Sequence, residues 1–405
     1  MTTTRCSAVS FRVMVWVRRG AIPVLCVISL VSLLNVRVGF IENFSKSCFA
    51  TVRDPTAVYT ERQKRLRDTC LLQPAGRLRR ILSHDAYKLS YCAVPKAGCT
   101  FWINVFRFLH RETGGVNVSS PFEIPRMITH YGARQKMKYY DLDSAGDFLP
   151  YTFRFLFCRD PYTRLWSAYV DKLLLPDYWI SEGQLIVARR RKHVGGGEKP
   201  CANDISFTEF LKYVTRSRIE NLNEHWSPVS HMCDPCRFQP DVIGTMETFA
   251  RDSRYVLAQR GLEYLMDGYD PVSHVEDEMA MLITYNFNLL AQNFVDKCSN
   301  TRDLARRLWK AFQINGYLPE DAELPVQEMN SATATTFTDL AKRTYRQNPR
   351  SSSQIKRQRM KALADAFREV PPKIMEGLKN IYATDFLMFN YDTDPSWMTF
   401  NSSHG

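Results

Sequence analysis

The clearest candidate for a chemical role in this chain is a short loop that contains a lysine and a glycine, Pro95-Lys-Ala-Gly-Cys-Thr-Phe101. It follows an apolar run and precedes a segment that should form a helix from Thr100 onwards. Such a loop can hold a phosphate against the backbone N–H groups of a helix N-terminus. In nucleoside triphosphatases, Ser or Thr follows the loop lysine directly and binds Mg²⁺. Here Ala97 follows Lys96, so the sequence predicts a phosphate site that lacks this metal ligand.

A second candidate phosphate site lies in the segment Phe153–Tyr169. Its apolar first part should form a strand, and Asp160 is then a suitable N-cap for the following helix. Arg159 would therefore lie at the carboxyl end of a strand, where open α/β sheets bind ligands. Ser167, about two turns along the helix, could add a hydroxyl, and Arg and Ser together suit a terminal phosphate monoester. The alternative is a structural pair between Arg159 and Asp160, with Ser167 as a small buried residue.

Both segments need a scaffold that brings strand ends and helix starts together. From His84 onwards the sequence alternates apolar strands with amphipathic helices, which predicts an α/β fold with a P-loop-like parallel sheet flanked by helices. At 405 residues and 45% hydrophobic, the chain can bury the core of one large domain of ~250–300 residues. The predicted strands are Leu89–Val94, Phe153–Cys158 and Asp241–Gly244. The predicted helices are Thr100–His110, Pro161–Leu175, Phe207–Tyr213 and Glu247–Arg260.

An apolar segment near the N-terminus predicts a membrane anchor. Residues 21–41 are almost wholly apolar and reach the ~20 residues that a spanning helix needs. Arginines precede this segment and the first acidic residue is Glu42, so the positive-inside rule places the short N-terminus in the cytoplasm. The alternative is a cleaved signal peptide. The predicted order is a cytoplasmic tail at 1–20, a transmembrane signal-anchor at 21–41, a stem at 42–82, an exported domain at 83–395 and a loose tail at 396–405.

Cysteine use fits export to an oxidising compartment, where disulfides persist. Of the 11 cysteines, Cys6 and Cys26 precede residue 42, which leaves an odd number in the exported part and at least one thiol without an internal partner. Cys233 and Cys236 could form a zinc or redox pair. A single Cys-x-x-Cys lacks the second half of a zinc site, however, which favours structural disulfides. Glycosylation sequons, usable only in such a compartment, begin at Asn43, Asn117 and Asn401.

The formal charge of +12 favours a polyanionic partner such as nucleic acid, acidic lipid or acidic polysaccharide. Export of the folded part argues against nucleic acid. Basic runs at 189–192 and 343–361 could line an acidic polysaccharide, or each could be a solvated face. Within the stem, the charged run Glu61–Arg67 is typical of a helix, which we expect to act as a spacer.

Together, the two phosphate segments resemble the Golgi carbohydrate sulfotransferases, in the group that contains chondroitin and dermatan 4-O-sulfotransferases. The first segment is similar to the family's 5′-phosphosulfate loop, written much like PKVGCTNW. The second is similar to its 3′-phosphate loop, much like RDPFERLVSAY. The likeness covers most of residues 85–392, although the chain departs from the family pattern at Ile103-Asn104, Trp166 and Val170, and matches poorly over 267–345. Further similar segments are Ile205–Leu211, Asn223–Pro228, Cys233–Cys236 and Val242–Thr248.

The resemblance implies that the donor is 3′-phosphoadenosine 5′-phosphosulfate (PAPS) and that no metal takes part. Lys96 would stabilise the leaving oxygen, and the backbone amides that follow it would hold the 5′-phosphate. Arg159 and Ser167 would bind the 3′-phosphate. The implied donor-binding residues are Pro95, Lys96, Ala97, Gly98, Cys99, Thr100, Phe101, Arg159 and Ser167.

Two histidines are candidates for the base that removes the acceptor's proton. His130 lies between the two phosphate segments, where related sulfotransferases supply a His or a Glu. His225 belongs to the segment Asn223–Pro228, which matches a family motif. Either could instead be a structural histidine, so the sequence leaves the base open between them.

The implied function is sulfuryl transfer to a sugar hydroxyl of a glycosaminoglycan or glycoprotein glycan, by a Golgi type II membrane enzyme of open oligomeric state. The 4-hydroxyl of GalNAc in chondroitin or dermatan is the preferred acceptor, and the 3-hydroxyl of a terminal glucuronic acid on glycoproteins is the alternative. A P-loop nucleotide kinase or nucleotidase would need the missing Lys-Ser/Thr step. A non-catalytic lumenal glycan-binding protein would be favoured by loss of Lys96, Arg159 or Ser167, and all three are present.

Overall fold

The structure, a computed structural model, describes residues 56–71, 76, 79–190, 201–292 and 295–398. The predicted cytoplasmic tail and signal-anchor lie outside these ranges, as do residues 399–405 of the predicted tail. In the part of the chain that the structure describes, no helix is long and apolar enough to cross a membrane. The anchor at 21–41 therefore stays a prediction.

Within the described residues five strands form one sheet: β1 Ile81–His84, β2 Leu89–Cys92, β3 Tyr139–Tyr140, β4 Phe153–Cys158 and β5 Val242–Thr245. Their order is β3-β1-β2-β4-β5. As predicted, β2, β4 and β5 run parallel. β1 pairs antiparallel with both β2 and β3, however, so the sheet is mixed rather than wholly parallel. A tight turn joins β1 to β2, and strands joined in this way must run antiparallel.

Helices make up most of the remaining described structure. They confirm three of the four predicted helical segments to within a few residues, whereas the α-helix predicted over Pro161–Leu175 ends at Tyr169. The sixteen α-helices that the described residues contain are α1 Ala57–Cys70, α2 Cys99–His110, α3 Arg126–Tyr131, α4 Leu142–Ala145, α5 Pro161–Tyr169, α6 Gln184–Arg190, α7 Phe207–Arg216, α8 Val229–Cys233, α9 Pro235–Phe238, α10 Phe249–Ala258, α11 Pro271–Leu290, α12 Thr301–Ile314, α13 Ala334–Gln347, α14 Ser352–Arg368, α15 Pro372–Ile381 and α16 Ala383–Phe389.

The parallel part of the sheet is the centre of the core. Every residue of β2 and β5 and the last four residues of β4 are buried, so both faces of these strands are covered. Trp102 of α2 packs on Phe155 and Phe157 of β4, with ring centroids 4.3 and 5.3 Å away. Gly244 makes room for this aromatic layer, because a Cβ there would lie 2.4 Å from the Phe157 ring. This packing fixes α2, and with it the loop that precedes α2, on the sheet.

The helix α1, which includes the charged run predicted as a spacer, packs against the domain instead. Tyr59 is buried, and Arg62 donates hydrogen bonds at 2.8 Å to the Ile243 carbonyl and to Asp252. Cys70 at its end forms a disulfide with Cys236. The expectation of a free spacer is therefore wrong for this helix, since its apolar and charged positions both have partners on the β5 side of the sheet.

Three disulfides connect described cysteines: Cys70–Cys236, Cys92–Cys233 and Cys201–Cys298. The structural disulfides expected at Cys233 and Cys236 are thus present. The two cysteines bond to different partners, so they form neither a redox pair with each other nor half of a zinc site. Of the cysteines that the structure describes, Cys99 and Cys158 are free.

The long helix α14 lies against α5, the helix that follows Arg159. Leu363 and Phe367 of α14 belong to the same buried cluster as Tyr162 and Leu165 of α5. The rings of Tyr162 and Phe367 meet edge to face at 5.4 Å. This contact brings the basic segment 343–361, whose role the sequence left open, next to the second predicted phosphate site.

Candidate active site

The two predicted phosphate segments leave the sheet at the same edge. β2 and β4 are parallel neighbours, so the loop after β2 and Arg159 after β4 lie side by side. The contact between them is direct, because Arg159 Nη1 donates to the carbonyl oxygen of Lys96 at 3.2 Å. The two anion sites expected from the sequence are therefore adjacent in the fold.

The first loop has the backbone geometry of an anion-binding turn. Lys96 and Gly98 both have positive φ angles, 65° and 76°, and Gly98 is the N-cap of α2. A Cβ at Gly98 would lie 2.3 Å from Cε2 of Phe249, so a larger residue would displace that ring. No acidic side chain occupies the first turn of α2, so its unpaired N–H groups and dipole favour a bound anion.

Lys96 is paired with a carboxylate. Its Nζ lies 2.7 Å from Oδ2 of Asp171, and both side chains are 16% exposed. Asp171 also lies 3.4 Å from Nζ of Lys172, which pairs in turn with Asp177. Burial opposes ionisation of Asp171, but Lys172, Lys96 and Arg126 outweigh it and hold the Asp171 pKa well below its usual value. Burial lowers the pKa of Lys96, and Asp171 acts in the opposite direction.

A π-helical turn supplies both Asp171 and Lys172. The sequence predicted one helix over Pro161–Leu175, but α5 ends at Tyr169 and the turn Val170–Leu174 is π-helical. Such turns are frequent at functional sites. Asp171 and Lys172 could not be predicted from the sequence, because no short motif marks a π-turn. Nor does any motif indicate that the Asp171 carboxylate will pair with Lys96.

Beside the loop, Arg159 and Ser167 line a cavity of about 420 Å³. Helix α14 contributes two further cations to its wall, Lys356 and Arg359. Burial, followed by the charge of Arg359, lowers the pKa of Arg159 to about 10. Among the described residues, the guanidinium of Arg159 donates only to a hydroxyl and a carbonyl oxygen, with no carboxylate within ion-pair distance. The cavity therefore gathers positive charge that the protein itself leaves largely uncompensated.

The same cavity has a partly apolar wall. Ile314, Ile355 and Leu363 lie on it together with Trp166, whose buried indole N–H has no hydrogen-bond partner within the described residues. This combination of clustered cations and apolar surface fits a phosphorylated nucleoside such as the 3′-phosphoadenosine end of PAPS.

His130, one of the two candidate bases, contacts the loop Pro95–Phe101, which is the predicted donor-binding loop and is called the donor loop below. Its Nε2 lies 3.3 Å from Oγ1 of Thr100. Burial, followed by the charges of Arg126 and Lys172, lowers the His130 pKa to about 3. The imidazole is therefore neutral at neutral pH, and a bound anion would have to raise its pKa before it could act as an effective base.

His225, the other candidate, is engaged by the protein. Its Nδ1 lies 3.0 Å from the Tyr178 hydroxyl and 2.9 Å from Oδ1 of Asn223. Burial, followed by Lys172 and Lys96, holds the His225 pKa well below its usual value. The charge of Lys172 thus acts on both histidines, but of the two only His130 forms a hydrogen bond with the loop Pro95–Phe101 among the described residues.

One buried arginine ties the donor loop to the segment that carries His225. Arg164 of α5 is 2% exposed. It donates to the carbonyl oxygens of Pro95 at 3.0 Å, Ser227 at 2.6 Å and Glu224 at 2.8 Å. Since these three carbonyls belong to two separate loops, Arg164 fixes the position of one loop relative to the other.

A second buried arginine fixes His130. Arg107 of α2 is fully buried and donates to the carbonyl oxygens of Thr129 at 3.2 Å and Gly132 at 2.7 Å, on either side of His130. It makes a further bond to the Ala133 carbonyl at 3.1 Å. The short helix α3 is thereby attached to α2, whose N-terminus forms the donor loop.

The remaining predicted residues of the donor loop make contacts within the protein. Ala97 is buried, and its N–H donates to the Val94 carbonyl at 3.3 Å. Cys99 begins α2 as a free thiol. Phe101 meets Phe249 edge to face at 5.5 Å. The structure thus brings the nine residues predicted to bind the sulfuryl donor to the same edge of the sheet.

Lys356 and Arg359 are the cations that sequence reasoning failed to assign. The signal was present as the basic segment 343–361, but its sequence position gave no reason to place it beside Arg159. Within the described ranges, no group of three or more His, Cys, Asp or Glu residues could hold a metal ion. The expectation that no metal takes part stays a prediction.

Comparison with known proteins connects this geometry to a family. Residues 79–313 match the sulfotransferase family. Carbohydrate sulfotransferase 14 of Mus musculus is 35% identical over 198 residues, which cover 45% of this chain and 48% of that protein. Carbohydrate sulfotransferase 11 of Rattus norvegicus is 32% identical over 237 residues, 54% of this chain and 66% of that protein.

A third relative, carbohydrate sulfotransferase 9 of Homo sapiens, is 32% identical over 186 residues, 45% of this chain and 41% of that protein. The chain therefore spans about half the length of the curated relatives it matches. No solved structure matches the chain significantly. The family match includes the donor loop, Arg159 and both candidate bases, but ends before α14.

Proposed function

Because the chain belongs to the sulfotransferase family, we propose that it transfers a sulfuryl group from PAPS to a sugar hydroxyl. The observation that carries this proposal is the hydrogen bond between Arg159 and the Lys96 carbonyl, which joins two anion sites side by side. A nucleotide phosphorylated at both ends needs two such sites. The names of the relatives support a carbohydrate as the acceptor.

The loop Pro95–Phe101 would hold the 5′-phosphosulfate. The N–H groups at the start of α2, which has no acidic residue in its first turn, would bind the leaving 5′-phosphate, since a helix N-terminus stabilises the negative charge that grows there. Lys96 would leave Asp171 and pair with the leaving oxygen. In an in-line transfer the acceptor oxygen bonds to sulfur while the bond from sulfur to the 5′-phosphate oxygen breaks, so positioning is the main task of the protein.

The cavity next to Arg159 would hold the 3′-phosphate and the adenosine. Arg159 and Ser167 supply a guanidinium and a hydroxyl, as the sequence predicted, and Lys356 and Arg359 add charge from α14. Charge-assisted hydrogen bonds to phosphate are roughly twice as strong as neutral ones. Most of the donor affinity should therefore come from this end.

His130 is the base that the geometry favours. It is neutral near neutral pH and contacts Thr100, which belongs to the donor loop. The negative charge of a bound donor would offset Arg126 and Lys172, which raises the His130 pKa toward the range where a base is most effective. His225 remains the alternative base, and replacing each by Ala separates the two: the base variant loses turnover but still binds the donor product.

The GalNAc 4-hydroxyl of chondroitin or dermatan is the acceptor we propose, with the 3-hydroxyl of a terminal glucuronic acid as the alternative. The likeness of both phosphate motifs to the 4-O-sulfotransferase group supports the first choice. We also propose a Golgi type II membrane enzyme with a lumenal domain. The three disulfides support this location, since they persist in oxidising compartments.

The decisive experiment incubates the full-length chain with labelled PAPS and a panel of desulfated polysaccharides, followed by disaccharide analysis of the products. Label at the GalNAc 4-position is the expected result. Label at another position would correct the acceptor, and no transfer to any glycan would contradict the function. Binding to immobilised adenosine 3′,5′-bisphosphate (PAP), compared with ATP, distinguishes this donor site from that of a P-loop kinase.

A further inference from the structure

An exposed pair of tyrosines lies next to the proposed base. Tyr131 at the end of α3 is 60% exposed, although it is a large aromatic residue. One of its faces stacks on Tyr285 of α11, with ring centroids 5.5 Å apart and planes 18° from parallel. Most of the Tyr131 residue nevertheless remains accessible to solvent. Its ring centroid is 6.4 Å from that of His130, which itself contacts Thr100 of the donor loop.

The pair is anchored to the charged centre of the site. The Tyr131 hydroxyl donates to the Tyr285 hydroxyl at 2.9 Å, and Tyr285 donates to Asp177. Asp177 pairs with Lys172, and Lys172 with Asp171, the partner of Lys96. An unbroken series of hydrogen bonds and ion pairs thus connects an exposed aromatic ring to the lysine of the donor loop.

The backbone beneath Tyr131 is also held in place. Arg107 donates to the carbonyl oxygens of Thr129 and Gly132, so α3 is fixed just before and just after Tyr131. A side chain whose hydroxyl and backbone are both restrained presents its open face in one orientation. Tyrosine has two χ angles, so fixing it for binding loses little conformational entropy.

An exposed aromatic face at this place suits a sugar ring. A pyranose has one face of C–H groups, which packs on the electron-rich face of an aromatic ring, while its hydroxyls stay free for hydrogen bonds. The proposed transfer reaction requires a sugar within reach of His130, which directly precedes Tyr131 in the chain.

We infer that the Tyr131–Tyr285 pair is a binding subsite for the acceptor glycan, which stacks a sugar ring on the open face of Tyr131. This inference rests on the proposed function and adds the element that positions its acceptor. The ring of Tyr131 supplies the contact, and Tyr285 acts as a positioning residue through the hydroxyl pair.

The test uses the full-length chain with labelled PAPS and a desulfated chondroitin oligosaccharide as the probe. In Tyr131→Ala we expect the KM for the oligosaccharide to rise about fivefold to tenfold, which is the size of effect that one aromatic contact produces. The KM for PAPS and the affinity for PAP should stay within about twofold. Tyr131→Phe keeps the ring and should raise the acceptor KM less than threefold.

Tyr151→Ala is the matched control, because Tyr151 is 77% exposed and precedes β4, whereas the proposed site lies beyond the other end of that strand. It should leave both KM values unchanged. An acceptor KM in Tyr131→Ala within twofold of the native value would overturn the subsite but leave the function intact. A rise in both KM values would also overturn it, since that result indicates a structural role. If the native chain sulfates no glycan, the proposed function fails, and direct binding of the same oligosaccharide to the native and Tyr131→Ala chains then decides the subsite alone.

Discussion

The two anion sites differ in how the protein balances their charge. At the donor loop, the ammonium of Lys96 lies 2.7 Å from Asp171, and further ion pairs continue from there. At the cavity, Arg159 has no carboxylate within ion-pair distance among the described residues, and Arg359 adds to the effect of burial in lowering its pKa to about 10. One site is therefore neutralised in the absence of the donor, whereas the other retains an excess of positive charge.

This difference suggests a division of labour between the two ends of the donor. An uncompensated cluster of cations gains most from a bound phosphate, so the cavity should supply affinity. A lysine that must first leave a carboxylate gains little in the ground state. It can contribute strongly where charge grows during reaction, so the loop should supply rate. Four experiments can break or sharpen this comparison.

The largest expected effect belongs to Lys96→Met. Removing the lysine should lower kcat by about 10²–10³-fold, the usual consequence of losing one group that stabilises transition-state charge. This is measured as initial rates with saturating donor and acceptor. Since the variant removes the nearest cation from Asp171 and leaves that carboxylate near the donor, the double variant Lys96→Met/Asp171→Asn is the matched control for affinity, and it should bind PAP within about threefold of the native chain. Weak PAP binding by the double variant would show that Lys96 supplies affinity as well.

The opposite pattern is expected for Arg159→Met. Losing a charge-assisted hydrogen bond to phosphate, about 1.5–3 kcal/mol, should weaken PAP binding roughly 10- to 100-fold. At saturating PAPS, kcat should fall less than about fivefold, because the variant removes one hydrogen bond to the Lys96 carbonyl but keeps the Lys96 ammonium and the N-terminus of α2. Calorimetry with PAP and donor-saturation kinetics measure the two quantities. A large loss of kcat at unchanged affinity would contradict the division of labour.

A smaller loss of affinity is expected when the cations of α14 are removed. Lys356→Ala and Arg359→Ala should each weaken PAP binding about threefold to tenfold, because both side chains line the cavity beside Arg159 but are exposed to solvent. Their effect should shrink as salt is added. Arg357→Ala is the matched control, since Arg357 is an exposed arginine of the same helix that does not line the cavity. Equal effects of all three would indicate a general surface field instead of a site.

The same comparison shows why the sequence predicted some parts of the site and not others. Pro95–Phe101 and Arg159 lie in contiguous motifs whose local structure is one strand end and one helix start, so their placement follows from the parallel sheet. Lys356 reaches the cavity only because apolar residues of α14 pack on α5, a contact between segments nearly 200 positions apart. No local sequence pattern predicts a contact between two helices so far apart in the chain.

Asp171 was missed for a different physical reason. Its direction is set by a π-turn, which depends on one extra residue per turn rather than on a residue type that a motif can record. The antiparallel β1 and β3 were likewise missed, because a four-residue apolar strand and a two-residue strand give almost no periodic signal. The role of helix α1 was predicted wrongly because its many charged residues are typical of a solvent-exposed spacer. In the fold, Arg62 forms an ion pair with Asp252.

The remaining comparison concerns acid stability, to which the two sites should respond with opposite signs. The His130 pKa is lowered to about 3, so between pH 6.5 and 3 the unfolded chain binds this proton and the folded chain does not, and stability falls as pH falls. Burial raises the pKa of Asp160, beside Arg159, to about 6, so between pH 6 and 4 the folded chain binds more protons and stability rises as pH falls. Each group contributes up to about 1.4 kcal/mol per pH unit within its window.

Two variants with side chains that are polar but do not titrate separate these contributions in thermal unfolding measured from pH 4 to pH 6. His130→Asn removes the acid-sensitive group of the loop and should flatten the loss of Tm on acidification. Asp160→Asn keeps a side chain that caps α5 but cannot titrate, so it should make that loss steeper. Saturating PAP should reduce the effect of His130→Asn, because the phosphates offset Arg126 and raise the His130 pKa in the folded state. Slopes that change in the same direction in both variants would contradict the opposite electrostatic environments inferred for the two ends of the donor.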